Sequence, residues 1–267
     1  MVAPAYVSPV RDEALMKRLL VHAERWLVPY HRAIVRGLEH VPAGPALYVG
    51  NHNGATYSGD TWILAVHLWR HGGFEAVPYG LGHDLVLKLP VIGPTLLRAG
   101  VVPAHPDAAR MLLAAGHKVM VYPGGDLDAL RPWSQRNRVR FGGRRGFARA
   151  ALLAGVPIVP VAAQGAHETL IVLDDLQGLA RWTGADRHLR LKVWPLSLSI
   201  PWGLTLGPTP PYLPLPAKIR IDVLPPVHFE RTGPEAAADE AYVTACAATI
   251  EEQIQAAVSR LVAEKRA

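Results

Sequence analysis

Apolar side chains recur at three- and four-residue steps through residues 15–30, at Leu15, Met16, Leu19, Leu20, Ala23, Trp26, Leu27 and Tyr30, a spacing that draws one stripe along a helix. Lys17, Arg18 and Arg25 fall on its polar face, with Arg32 and Arg36 just beyond, and Pro29 is expected to kink or end it. Such a helix either packs on its own domain with a solvated basic face or lies on a membrane with Trp26 and Tyr30 at head-group level. A strand-forming run, Ala46-Leu47-Tyr48-Val49-Gly50, then empties into Asn51-His52-Asn53-Gly54-Ala55-Thr56-Tyr57-Ser58-Gly59-Asp60 before a helical pattern resumes at Thr61. This strand-to-helix turn is where α/β proteins keep reactive groups.

Beyond the turn the periodicity switches repeatedly. Residues 74–79, 101–102, 118–122, 158–163 and 218–223 read as strands; residues 84–98 read as a broken helix, and 106–115, 144–154 and 236–265 as helices. The alternation predicts a single α/β domain with a largely parallel or mixed central sheet flanked by helices. Its expected divisions are an amphipathic N-terminal helical region (1–40), an α/β body (41–232) and a C-terminal helix packed on the same domain (233–267). Residues 194–216 fit none of this, being rich in Pro, Leu, Trp and Gly, with no formal charge.

Composition narrows the picture. Half of the 267 residues are hydrophobic, 19% are charged and mean hydropathy is +0.13, yet no apolar run reaches the ~18 residues a membrane span needs. Residues 1–10 have neither a charged start nor a long apolar stretch, so no secretory signal is expected and the cytoplasm is the default. The lone cysteine, Cys246, excludes internal disulfides and multi-cysteine zinc sites. A net charge of +6 permits attraction to nucleic acid, anionic lipid or phosphorylated cofactors. No recognition helix, zinc finger or aromatic sheet motif accompanies it, which sets nucleic acid aside.

His52 is the first chemical candidate: a neutral imidazole takes a proton from an alcohol as that oxygen attacks an acyl carbonyl, and a carboxylate fixes its tautomer. Asp60 is the nearest carboxylate in sequence, although His52 as a plain turn residue with Asp60 or Ser58 capping the next helix weighs equally. Tyr122-Pro123-Gly124-Gly125 ends a strand in a loop whose N–H groups suit a phosphate or oxyanion. Asp126, Asp128, Arg131, Arg136, Arg138, Arg140, Arg144 and Arg145 follow, and arginine suits bidentate phosphate recognition. No Gly-Lys-Ser/Thr follows the loop, there is no Gly-x-Ser-x-Gly elbow, and Leu85 stands where a dinucleotide fingerprint begun at Gly80-x-Gly82 needs its third glycine. His67 and His71 sit four apart on a helix but lack an obvious third metal ligand, so a structural reading is preferred.

Four blocks, taken in order, resemble the glycerolipid (lysophospholipid) acyltransferase superfamily, on the branch that includes monoacylglycerol and diacylglycerol acyltransferase-like proteins. They are Val49-Gly50-Asn51-His52-Asn53-Gly54 through Asp60; Val91-Ile92-Gly93-Pro94 through Gly100-Val101-Val102-Pro103-Ala104; Val121-Tyr122-Pro123-Gly124-Gly125 with Asp128; and Arg145-Gly146-Phe147-Ala148-Arg149-Ala150-Ala151 into Gly155-Val156-Pro157-Ile158-Val159-Pro160-Val161. The segment Leu213-Pro214-Leu215-Pro216-Ala217-Lys218-Ile219 is also similar. Two departures stand out. The family's usual spacing leaves four residues between His and Asp, whereas here Tyr57 takes that place and seven residues separate His52 from Asp60; and the usual Pro-Glu-Gly is Pro-Gly-Gly, with a carboxylate displaced to Asp128.

The resemblance implies acyl transfer from acyl-CoA or acyl-carrier protein to a hydroxyl of a lipid acceptor (lysophospholipid, glycerol phosphate or acylglycerol), at the cytoplasmic face of a membrane as a peripheral protein, without metal or redox cofactor. His52 would be the general base and Asp60 its orienting partner, with Gly54 and the following helix N-terminus donating to the oxyanion. Asn51, Tyr57, Tyr122, Pro123 and the Gly124-Gly125 loop with Asp128, Arg131, Arg144 and Arg145 would hold substrate, the arginines taking phosphate. Residues 194–216 would touch the membrane or line the acyl groove. Two other outcomes of the stretched spacing are a non-catalytic lipid-binding protein of the same fold and a thioester hydrolase in which His52 activates water.

Overall fold

In a computed structural model, residues 11–188, 191–208 and 210–266 are described. Residues 1–10, read above for a secretory signal and as the start of the N-terminal region, lie outside them. Among the described residues ten strands form: β1 (Ile34–Arg36), β2 (Leu47–Gly50), β3 (Tyr79–Gly82), β4 (Val101–Pro103), β5 (Val119–Val121), β6 (Ile158–Gln164), β7 (Ile171–Asp174), β8 (Leu196–Ser199), β9 (Gly203–Leu206) and β10 (Arg220–Val223). Seven make a central sheet in the order β1-β10-β6-β2-β5-β3-β4, and β7-β8-β9 make a small second sheet. Only the β10–β6 pair in the central sheet is antiparallel, so the sheet is mixed and largely parallel.

β2 and β6 are buried at every position and, Gln164 at the end of β6 apart, carry no polar side chain facing the core other than the Tyr48 hydroxyl, as strands covered on both faces must. Side chains alternate between faces. Leu47 and Val49 join a core built with Phe141, Leu152, Ile250 and Leu261. That layer is supplied by α4 (Pro106–Ala114), α5 (Gly146–Ala154) and α6 (Glu240–Arg266), which follow α1 (Glu13–His22), α2 (Gly59–Ala76) and α3 (Ile92–Arg98) in the chain. Tyr48 faces the opposite core with Met16, Leu20, Ile63 and Ile221, under α1 and α2. No helix among the described residues is long and apolar enough to cross a membrane.

Several expected boundaries move. Residues 74–76 finish α2 instead of opening a strand: Gly72 and Gly73 leave helical geometry, but Phe74 packs on Trp69 with ring centroids 6.2 Å apart, and the strand starts at Tyr79. Pro29 does not end the first helix, because a π turn at Ala23–Leu27 lets the chain continue through Val28–Tyr30 before Arg32 turns it at φ 44°. β1 pairs in register with β10, so residues 34–36 belong to the central sheet and not to a helical appendage. The closing helix is two, Pro234–Ala238 and α6, because Asp239 leaves helical geometry and its Oδ1 accepts the Tyr242 N–H at 3.0 Å. Residues 194–216 contain the antiparallel β8–β9 hairpin, whose prolines sit outside the paired strands.

Candidate active site

β2 lies mid-sheet, and the chain leaves its C-terminal end through the 51–58 turn, the position at which open α/β sheets bind ligands. Asn51 pins the turn to β6: its Nδ2 donates to the Ala163 carbonyl at 2.9 Å and its Oδ1 accepts the Ala163 N–H at 2.8 Å. The His52 N–H donates to Asp128 Oδ2 at 2.6 Å. Positive φ at Gly54 (69°), Ala55 (50°) and Ser58 (43°) folds the remainder into the start of α2. The half-buried His52 ring stacks on Tyr122, with centroids 4.8 Å apart at 22°. Burial, with the Arg131 charge behind it, holds the imidazole down at about 4, opposed by the Asp126 carboxylate. Its Nδ1 accepts the Asn53 N–H at 3.0 Å, so the neutral ring carries its proton on Nε2.

Two cavities meet at this ring. One, of about 220 Å³, is walled chiefly by apolar groups, among them Trp62, Leu64, Leu68, Leu87, Leu96 and Met120, and by the turn residues Ala55, Thr56, Tyr57 and Ser58. The other, of about 550 Å³, is mixed: Phe147, Ala109 and Pro123 share its wall with His105, Asp126, Arg144 and Lys192. His52, Leu81, His83 and Tyr122 line both. An apolar slot and a wider chamber with charged groups in its wall, joined at one imidazole, can hold a two-part ligand with its junction at the ring.

Beneath the turn lies a buried polar cluster centred on Arg131. Its Nη1 donates to the His52 carbonyl at 2.8 Å, to Asp128 Oδ1 at 3.1 Å and to the Asp128 carbonyl; its Nη2 donates to Asn53 Oδ1 at 2.6 Å and to the Arg136 carbonyl at 2.7 Å. Asp128 also accepts the Arg140 N–H at 3.0 Å. Burial pushes both the Asp128 and Asp60 carboxyls up to about 6 against the pull of hydrogen bonds and the Arg131 charge.

This arrangement corrects several expected roles. Asp60 does not bond the His52 ring: Oδ2 accepts from Asn53 Nδ2 at 2.9 Å and Oδ1 from the Thr61 N–H at 3.0 Å, because the long turn inserts Asn53 between them. Arg131 and Asp128 are fully buried and committed to each other and to the backbone, so neither faces a ligand. Asn51 is a staple, and Gly54 lies under Tyr212, whose hydroxyl donates to its carbonyl at 2.7 Å; neither lines either cavity. Arg145 turns to α6, donating to Thr244 Oγ1 at 2.8 Å and pairing with Glu240 at 3.2 Å. The Gly125 N–H is taken by the Tyr122 carbonyl at 3.1 Å, so it is not free for phosphate. A Cβ at Gly124 would stand 2.2 Å from Asp128 Cβ and 2.5 Å from the Arg140 carbonyl oxygen; the displaced carboxylate occupies the room a side chain there needs.

Six expected residues do gather at the cavities: His52, Tyr57, Tyr122, Pro123, Gly125 and Arg144. Arg144 Nη1 holds the Pro123 and Gly124 carbonyls at 2.9 and 2.6 Å, its Nη2 meets Asp126 at 3.2 Å, and it still borders the wider chamber. Tyr57 hydrogen-bonds the buried His31 at 2.7 Å, so its ring serves as wall. His83 and Lys192 join these residues without having been singled out in the sequence, and Asp126, noted there without an assigned role, lines the chamber too. His83 follows Gly80-x-Gly82, weighed only as a nucleotide motif, and Asp126 was one carboxylate of two after the glycine loop. Nothing in the sequence marks Lys192, which lines the chamber from far beyond the Gly124-Gly125 loop, its backbone N–H donating to Asp126.

Residues 32–164 match the acyltransferase family. An uncharacterised protein of Mycobacterium leprae is 33% identical over 239 residues, which is 89% of this chain and 62% of that protein. A human protein named as a DGAT1/2-independent enzyme synthesizing storage lipids is 31% identical over 164 residues, 60% of this chain and 47% of its own length. The chain thus spans less than two thirds of the curated relatives it matches. The crystal structure of the 1-acyl-sn-glycerophosphate (LPA) acyltransferase PlsC of Thermotoga maritima superposes with a TM-score of 0.55 at 18% identity, over 95% of this chain and 84% of that one, a likeness of fold.

Proposed function

We propose that this chain, whose residues 32–164 match the acyltransferase family, is a member of the glycerolipid acyltransferase superfamily and moves a fatty acyl group from a coenzyme A or carrier-protein thioester to a hydroxyl of a lipid acceptor. The observation that carries this reading is the meeting at His52 of an apolar slot and a wider chamber whose wall carries Asp126, Arg144 and Lys192. The acyl chain fills the apolar slot, and the phosphate-bearing part of donor or acceptor takes the wider chamber beside Arg144 and Lys192. The acceptor oxygen bonds the thioester carbon as its proton passes to His52. The C–S bond then breaks and the proton ends on the thiolate sulfur.

His52 is neutral at physiological pH, as a base must be. To accept at Nε2 it needs its own proton on Nδ1, where the resting ring receives the Asn53 N–H. Catalytic hydrogen bonds commonly close only in the substrate complex, and this reading requires such an exchange, with Asp126 as the carboxylate whose charge already favours the imidazolium. The resting tautomer is also the observation that favours a second reading, a lipid-binding protein that keeps both cavities without transfer.

The test is free-thiol release from a panel of long-chain acyl-CoAs, with and without lipid extract, for the wild type and His52→Ala. Acceptor-dependent release that yields a new acylated lipid by mass spectrometry and disappears in the variant supports transfer. Release without acceptor indicates a thioester hydrolase, and lipid binding without release in either protein indicates the second reading.

A further inference from the structure

The β8–β9 hairpin is inside out. Along a strand that covers a protein core the apolar side chains point inward and the polar ones meet water, but here Ser197 is 0% exposed while its neighbours across the pleat, Leu204 and Leu206, are 63% and 60% exposed. The register pairs Leu198 with Leu204 and Leu196 with Leu206 on the outer side, and Ser197 with Thr205 on the inner, where their hydroxyls lie 3.0 Å apart. Ile200, Trp202 and Leu213 extend the outer face, all at least half exposed, and the Ile200 carbonyl accepts the Leu213 N–H at 2.8 Å. A continuous apolar surface of this kind marks a docking face.

The chemistry around it selects the occupant. Residues 194–216 carry no formal charge, and from 187 to 221 there is no Asp or Glu, while Arg187, Lys192, Lys218 and Arg220 flank the run in sequence and Arg32 reaches it at the Pro216 carbonyl; an apolar run with basic flanks complements an anionic lipid surface. The Trp202 indole N–H donates to the Pro211 carbonyl at 2.8 Å, so no unpaired donor opposes entry of the ring into the interface. The first helix continues the face: Tyr30 donates to the Pro214 carbonyl at 2.6 Å and Arg32 to the Pro216 carbonyl at 2.9 Å, beside the exposed Trp26. β9 is an edge strand with one side of its backbone unpaired within the sheet, which suits the wet interfacial layer and forbids the hydrocarbon centre.

We propose that the outer face of the β8–β9 hairpin, with Ile200, Trp202 and Leu213, seats this protein in the interfacial layer of an anionic bilayer. Tyr212, next to Leu213, is hydrogen-bonded to the Gly54 carbonyl in the turn that carries His52, so the docked face is coupled to the site. The inference deepens the lipid-acceptor reading above by naming the surface that meets the acceptor's membrane; the docking itself does not depend on turnover.

The full chain is sedimented with phosphatidylcholine vesicles with and without roughly one third phosphatidylglycerol, as wild type and as the Leu198→Ser/Leu204→Ser/Leu206→Ser variant, with circular dichroism as the fold control. A second probe avoids reliance on the triple variant: Leu204→Cys carrying an environment-sensitive dye, which labels selectively because Cys246 is buried. The expected result is binding to anionic vesicles that falls by roughly tenfold or more in the variant, with a blue shift of the dye on vesicle addition. The proposal is overturned by wild type that stays in solution, by a folded variant that binds undiminished, by a dye that does not shift, or by light scattering in which these leucines hold a dimer and vesicles bind neither form. Transfer measured on a water-soluble short-chain acceptor without vesicles separates the two readings: binding without transfer defeats the enzyme and spares the docking face, whereas transfer without binding does the reverse.

Discussion

Replacing Arg131 by Met tests whether this arginine is a keystone or a phosphate ligand. The guanidinium is 1% exposed and serves Asp128, Asn53 and the carbonyls of His52, Asp128 and Arg136. Met restores the volume of the stem but strands a buried carboxylate, and removal of one partner from a buried ion pair costs about 3–5 kcal/mol. At roughly 2–4 °C per kcal/mol for a chain of this size the melting temperature should fall by about 6–20 °C. Arg131→Lys should recover only a little, because one ammonium cannot reach the acceptors that the planar fork spans. Asp128→Asn added to Arg131→Met should recover more, since it removes the stranded charge. Calorimetry with a parallel measurement of donor KM decides the matter. A variant that melts within a degree of the wild type while donor KM climbs would refute the keystone argument and return Arg131 to the ligand.

Burial raises the Asp60 carboxyl from 3.8 to about 6, so the folded state holds the proton more tightly. Its stabilising contribution is complete below 3.8 and disappears as pH rises through about 6. Asp60→Asn should therefore gain stability relative to wild type across that window, by at most about 3 kcal/mol, as read from urea titrations at several pH values; a flat difference would count against the buried carboxyl. His52, held at about 4 against 6.5, acts in the opposite sense, its contribution being present above 6.5 and lost as pH falls through about 4, which is why the single variant is needed to see either. Gly124→Ala should cost more than about 2 kcal/mol, since its Cβ meets backbone at Arg140 as well as Asp128; an unchanged melting temperature would contradict the close approach. Leu96→Trp should shorten the apolar cavity and shift the preferred acyl-CoA to fewer carbons, with each lost methylene contact worth about 0.8 kcal/mol in kcat/KM; an unchanged chain-length profile would place the acyl chain elsewhere.

The strand, turn and helix around His52 were legible because β2 is a run of strand formers and the turn that follows is mostly small, polar and glycine residues. Long-range partners were not. Arg131 reads as one basic residue in an arginine-rich stretch, and only the approach of residues 52, 53, 128 and 136 from separate segments shows that it is buried. The β8–β9 hairpin escaped because its alternation is inverted and set among prolines, so a search for inward apolar positions finds a broken apolar loop. Residues 74–76 misled in the opposite way: Phe-Glu-Ala after two glycines looks like a fresh element, and tertiary packing on Trp69 keeps it helical.

Three more residues than the family's usual spacing separate His52 from Asp60, and the chain absorbs them in a bulge where Ala55 and Ser58 take left-handed backbone, each at a cost of about 1 kcal/mol or more. Such strain persists only where surroundings enforce it, and here Tyr212 clasps Gly54, Asn51 staples β6 and Arg131 grips Asn53. What the bulge produces is a wall: Ala55, Thr56, Tyr57 and Ser58 all face the apolar cavity. The same insertion withdraws Asp60 from the His52 ring and hands it to Asn53. Extra residues at this point therefore trade a direct imidazole–carboxylate contact for a shaped pocket, leaving Asp126, on the glycine-loop side, as the carboxylate whose charge acts on the ring.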